Sequence, residues 1–84
     1  FKAGENEKCY VSFNLEQAGE TTIKVYNSLG REVKELYRGR ATSGLNTIPW
    51  DGTDKNGDKV SSGVYIIRIE GPGIKQQKRV VVVR

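Results

Sequence analysis

Apolar and polar residues alternate along most of this chain, and no stretch sustains a helical repeat. Cys9, Val11, Phe13 and Leu15 alternate with Tyr10, Ser12 and Asn14, which predicts a strand with one apolar face. Residues 21–27 predict a second strand, with Ile23 and Val25 on one side and Thr22, Lys24 and Tyr26 on the other. In residues 31–40 the alternation falters, because Val33 and Leu36 stand three apart. A bulge or a bend between sheets reconciles them with a strand, and one short helical turn is the competing reading. Residues 45–50 form a strand in which Asn46, Ile48 and Trp50 share a face. Pro49 has no N–H to donate, so this strand belongs at an edge or ends there. The clearest strand spans residues 63–70, with Tyr65, Ile67 and Ile69 on one face and Val64, Ile66 and Arg68 on the other. Residues 76–84 make the last strand. Its apolar run from Val80 to Val83 predicts burial on both faces, or cover of the outer face by another domain.

Turn residues punctuate the pattern. Gln17-Ala18-Gly19-Glu20, Asn27-Ser28-Leu29-Gly30, Thr42-Ser43-Gly44 and Gly71-Pro72-Gly73 each interrupt an apolar run. Six to seven short strands about ten residues apart argue an all-β antiparallel sandwich of the immunoglobulin or fibronectin type III kind. A small barrel is the second choice.

Composition sharpens this. Eighty-four residues make a single domain, residues 1–84, near the small end of what folds alone. An apolar fraction of 36% allows only a thin, two-layer core. No apolar run is long enough for a membrane-spanning helix. The chain opens at Phe1 and contains no Met, so it is expected to be a piece of a longer protein. Its last strand runs to Arg84 without a tail, which points to a C-terminal module. Cys9 stands alone and reads as a small buried hydrophobe. The net charge is +4, spread along the chain except for Lys75, Lys78, Arg79 and Arg84 near the end. Lys and Arg along an edge strand keep it soluble and unpaired, and that reading outweighs a nucleic-acid surface.

The segment from Trp50 to Tyr65 is the most distinctive. Trp50 can plug the gap between two thin sheets. Asp51 can accept backbone N–H bonds from the turn it starts, and Gly52 and Gly57 can take positive φ. Gly63 leads into the next strand, and Tyr65 buries its ring while its hydroxyl seeks a backbone partner. A calcium loop is the sharper alternative, with Asp51, Asp54 and Asp58 as its carboxylates. Its spacing is not met, because position 52 is Gly where an acidic ligand belongs, and the bidentate Glu is missing. The segment therefore reads as a hydrogen-bonded turn with no metal or cofactor. Without any His there is no triad or general acid–base pair, and the glycines precede no helix that could cradle phosphate. Tyr10 and Tyr26 fall on the outer faces of successive strands. They could stack a polysaccharide, or shield the sheet as a cross-strand pair. Tyr37 is a third candidate for exposure.

Three runs carry a resemblance: Val25-Tyr26-Asn27 with Gly30-Arg31-Glu32-Val33 and Leu36; Gly44-Leu45-Asn46 with Ile48, Trp50-Asp51-Gly52, Asp54 and Gly57; and Val60 with Gly63-Val64-Tyr65. Together they resemble the immunoglobulin-like domain of flagellar hook-capping proteins, which recurs at the C-terminus of many secreted bacterial enzymes. They also resemble the related C-terminal sorting domains of type IX secretion. The likeness covers about residues 9–84. It implies a sandwich without catalytic residues in an extracellular or cell-surface bacterial setting. The expected role is a non-catalytic accessory module serving spacing, domain packing, or C-terminal sorting and anchoring. Its expected partners are a neighbouring domain or the secretion and anchoring machinery. The alternatives are a structural domain of a hook cap and a carbohydrate-binding module.

Overall fold

Where the alternation is cleanest, the backbone is extended. A computed structural model describes residues 1–2 and 7–84. It contains strands β1 (Cys9–Leu15), β2 (Gly19–Tyr26), β3 (Glu32–Ala41), β4 (Gly44–Trp50), β5 (Gly63–Gly71) and β6 (Ile74–Val82). β1 and β4 pair as one sheet, and the second sheet has the order β3-β2-β5-β6. Every strand pairing is antiparallel. The chain crosses between layers from β1 to β2, from β3 to β4 and from β4 to β5, so each layer's apolar face meets the other. This is the all-β, immunoglobulin-like sandwich that the pattern predicts.

β3 resolves the irregular stretch. Ile23 lies opposite Tyr37 and Lys24 opposite Glu35; Val25 lies opposite Lys34 and Tyr26 opposite Glu32. Leu36 and Val33 are therefore extra residues on β3, and each is a bulge. Two bulges turn a spacing of three into two side chains on the inner face, where both pack against the core. No helical turn forms there. Pro49 lies opposite Tyr10 on β4, whose one strand partner is β1. It occupies an edge strand, where a residue without an N–H is tolerated.

The core is a single layer of side chains from both sheets. Val11, Phe13 and Leu15 of β1 and Trp50 of β4 face Ile23 and Val25 of β2, Tyr65, Ile67 and Ile69 of β5, and Val82 of β6. Three aromatic rings hold one end of it. Trp50 meets Tyr65 edge-on at 5.5 Å and Phe1 edge-on at 5.6 Å. Phe1 is placed by backbone pairing. Its carbonyl accepts the Val83 N–H at 2.8 Å, its ammonium contacts the Val81 carbonyl, and Lys2 bridges Val83 in parallel.

Two expectations change. Val80 to Val83 are not buried on both faces. Val82 faces the core, while Val81 is 50% exposed and Val83 45% exposed, because they alternate to the outer face, over which the described residues place no further layer. Cys9 is half-buried rather than buried, because it sits at the start of β1 beside the core. Burial still pushes its thiol above the usual range, against the pull of the Phe1 ammonium and Lys78.

Trp50 has no exposed surface. Trp50→Ala should lower unfolding free energy by about 3–5 kcal/mol, measured by denaturant titration. Against a total of about 5–15 kcal/mol for a natural domain, that brings the sandwich close to unfolding.

Candidate functional site

The segment between β4 and β5 is built by its own residues. The indole N–H of Trp50 donates to the Thr53 carbonyl at 2.9 Å, so the buried ring leaves no polar atom unpaired. Asp51 accepts the Thr53 hydroxyl at 2.6 Å and its backbone N–H at 3.2 Å. Gly52 is buried with φ 80°, a conformation that a Cβ would strain, and its carbonyl accepts the Val60 N–H at 3.0 Å. Thr53 and Lys59 form a bridge that closes a small hairpin. At the far end the Tyr65 hydroxyl donates to the Ser61 carbonyl at 2.7 Å. Gly63 opens β5 beside Val82.

The tip of this hairpin has a twin elsewhere in the chain. Asp54 Oδ1 accepts the N–H groups of Asn56 at 2.9 Å and Asp58 at 3.0 Å. The Asp54 carbonyl takes the Gly57 N–H, and its own N–H bonds to the Asp58 carbonyl. Gly57 has φ 84°. Between β2 and β3, Asn27 does the same: its Oδ1 accepts Leu29 and Arg31, each at 3.0 Å, and its carbonyl takes the N–H of Gly30. Gly30 has φ 83°. Both are three-residue hairpin loops, each a tight turn closed by a left-handed glycine. One is headed by a carboxylate and the other by an uncharged amide. The turn therefore requires an acceptor oxygen at its head and no negative charge.

Asp51 lies in a small polar network. Lys34, from the bulged part of β3, donates to the Thr53 hydroxyl at 2.9 Å and stands 3.9 Å from Asp51 Oδ1. The Thr53 hydroxyl holds the Asp51 carboxyl below its usual range, Lys34 adds to this, and partial burial opposes it. On the other side Arg84 closes the segment. Its guanidinium donates to the carbonyls of Val60 at 2.6 Å and Gly52 at 2.8 Å, and its backbone N–H bonds Ser62 Oγ at 2.9 Å.

Asp51, Asp54 and Asp58, the calcium candidates, do not converge. Asp51 turns to Thr53 and Lys34, Asp54 caps the hairpin tip, and Asp58 meets Asp54 through its backbone. Among the described residues no group of three His, Cys, Asp or Glu side chains is placed to hold a metal ion.

Tyr10 and Tyr26 do not share a surface. β1 and β2 belong to different sheets, so the two rings lie on opposite outer faces of the sandwich. A platform of both tyrosines cannot form, nor can a cross-strand pair. Arg68 covers the Tyr26 ring, its Cζ 5.1 Å from the centroid, and Tyr37 is half-buried with its hydroxyl on the Arg40 carbonyl. The basic group near the end also separates. Lys75 and Arg79 face outward from β6, Lys78 reaches over to the Ser12 carbonyl of β1, and Arg84 binds the 50–65 segment. The roles of Phe1, Lys34 and Arg84 had no local signal in the sequence. The twin turns did, in the shared spacing Asn27-x-x-Gly30 and Asp54-x-x-Gly57.

Asp54→Asn should change stability by no more than about 0.5 kcal/mol, and Asp54→Ala should cost about 1–2 kcal/mol. In thermal melts, both variants and the parent chain should ignore added calcium. Asp51 supplies a pH dependence. Its folded value lies below the unfolded one of about 3.9, so its contribution is complete above that pH and is lost as pH falls through the folded value. The Tm gap between the parent chain and Asp51→Asn should stay constant from about pH 7 to 5 and close below about pH 4.

The model of the FlgD Ig-like domain family matches residues 2–73. Among solved structures, FlgD from P. aeruginosa superposes with a TM-score of 0.72 at 21% identity, over 89% of this chain and 58% of that one. PorU from Porphyromonas gingivalis, solved as a latent dimer, superposes with a TM-score of 0.63 at 21% identity, over 95% of this chain and 10% of that one. PorZ of the same organism, described as an essential bacterial surface component of its type-IX secretion system, gives a TM-score of 0.51 at 24% identity. That match covers 76% of this chain and 8% of PorZ. No curated protein matches the chain. The chain thus spans a little over half of the FlgD structure and about a tenth or less of the other two, and these likenesses establish its fold. With the family model covering most of its length, the chain belongs to the FlgD Ig-like domain family, a structural and non-catalytic family.

Proposed function

We propose that this chain is a non-catalytic accessory module of a larger bacterial protein that works at the cell surface or outside the cell. It serves as a rigid spacer and as a packing partner for a neighbouring domain or for secretion and anchoring machinery. One observation carries this reading: the same sandwich recurs as a small part of much longer chains, 10% of PorU and 8% of PorZ. The consumption of the Trp50–Tyr65 segment by its own hydrogen bonds supports it, since the chain's most distinctive residues are spent on holding the fold.

The size of the FlgD match favours a second reading, a structural domain within a hook cap. That role needs an oligomer. The two readings part in one set of measurements on the full-length parent, with and without residues 1–84. Under the first, deletion reduces secretion, surface retention or stability of the parent, and the parent does not assemble on hook protein. Under the second, the parent oligomerises and binds hook protein. A deletion that leaves secretion, retention and stability unchanged overturns the accessory reading.

A further inference from the structure

The outer face of the four-stranded sheet is charged on one side and apolar with arginines on the other. On β2 and β3 the charges are paired: Lys24 with Glu32 at 3.2 Å, and Arg38 with Glu35. On β5 and β6 only Glu70 and Lys75, at the far end, place opposite charges across from each other. Val64 lies opposite Val81, and Ile66 opposite Arg79; Arg68 lies opposite Gln77. Val64, Ile66, Arg68, Gln77 and Arg79, with Tyr26, line a groove of ≈ 390 Å³ that holds two arginines and no acidic residue. Among the described residues neither arginine has an ion pair. Val64 at 38% and Val81 at 50% exposure leave an apolar strip beside them.

We propose that this groove docks an extended acidic segment of a neighbouring domain of the parent protein, carrying an apolar residue and two carboxylates on one side. The proposal rests on the accessory-module reading and names the surface through which the module packs.

Three features fix the chemistry of the occupant. Arg68 and Arg79 are diagonal neighbours across β5 and β6, roughly 7–8 Å apart at that spacing, so two carboxylate sites lie in line with the apolar strip. An extended peptide places alternate side chains on one side, roughly 7 Å apart, which matches that step. The Tyr26 face is already covered by the Arg68 guanidinium, so it is closed to a stacking sugar. The ring contact holds the guanidinium in place, and its N–H donors remain for a carboxylate fork. A simple polyanion would meet two cations and then an apolar floor. An acidic peptide with an alternate apolar residue satisfies both.

The test uses the 84-residue chain, with a labelled dodecapeptide whose alternate positions carry leucine, glutamate and glutamate in turn, with serine and threonine between them, followed by fluorescence anisotropy and amide chemical shifts. Saturable binding is expected, with shifts at Tyr26, Val64, Ile66 and Arg79. Replacing glutamate by glutamine in the peptide, or Arg68→Gln with Arg79→Gln in the chain, should weaken it about ten-fold or more. Added salt should weaken it too. Arg79→Gln alone, at an exposed position, gives the same direction of change without disturbing Tyr26. Absence of binding at millimolar peptide overturns the proposal. So do shifts that map elsewhere, equal binding of the glutamine peptide, and equal binding of polyglutamate or polyphosphate. Such failures concern the groove alone, since the deletion measurement on the parent reads the accessory role independently.

Discussion

Trp50 is the side chain on which this sandwich closes. With two strands above four, the upper layer is too narrow to cover the lower one by aliphatic contacts alone. A ring system of that size fills the remaining gap, and Phe1 and Tyr65 support it edge-on from two sides. Burying an indole also buries an N–H donor, and that donor must find an acceptor or cost a few kcal/mol. Thr53 supplies the acceptor, three residues along the chain. The path from Asp51 to Val60 is therefore dictated by the indole. The chain must turn back at once, through a glycine with positive φ, to bring a carbonyl under the ring. The Asp51 and Lys34 contacts then fix the hydroxyl end of Thr53.

In this loop rich in oxygen ligands, the oxygens nearest the ring serve the fold. The side chains of Asp51, Thr53 and Asp54 are each bonded to an N–H, a hydroxyl or a lysine of the same structure. The likeness between the Asp54 and Asn27 turns carries the point furthest. One geometry appears twice in one small domain, once with a charge and once without. A metal ligand has to be charged or correctly directed; a turn head has only to accept.

Much of the fold could be read from the chain because alternation and turn residues act locally. β1, β2, β4 and β5 follow from which side chains are apolar, and the faulty rhythm of β3 marked its bulges. Pairings between layers could not be read in the same way. Tyr10 and Tyr26 sit on successive strands, and the sequence does not say that the chain changes sheets between them. Arg84 looked like one of four basic residues near the end, yet it binds carbonyls 24 and 32 positions earlier, a distance over which no sequence period extends. Val80 to Val83 showed the limit of reading burial from hydrophobicity. Four adjacent valines are equally apolar, but an edge strand with one covered face can bury only alternate ones.

The parallel contact between Phe1 and Val83 has a mechanical meaning. Phe1 and β6 run in the same direction, and the chain enters beside the point where it leaves. Tension applied through Phe1 and Arg84 therefore acts along the strand axis. The Phe1 and Val83 hydrogen bonds are loaded sideways and together, instead of being peeled open one after another. The Phe1 ring, wedged on Trp50, has to slide past the same aromatic group that holds the core. Stretching the sandwich by its two ends therefore has to shear these contacts together.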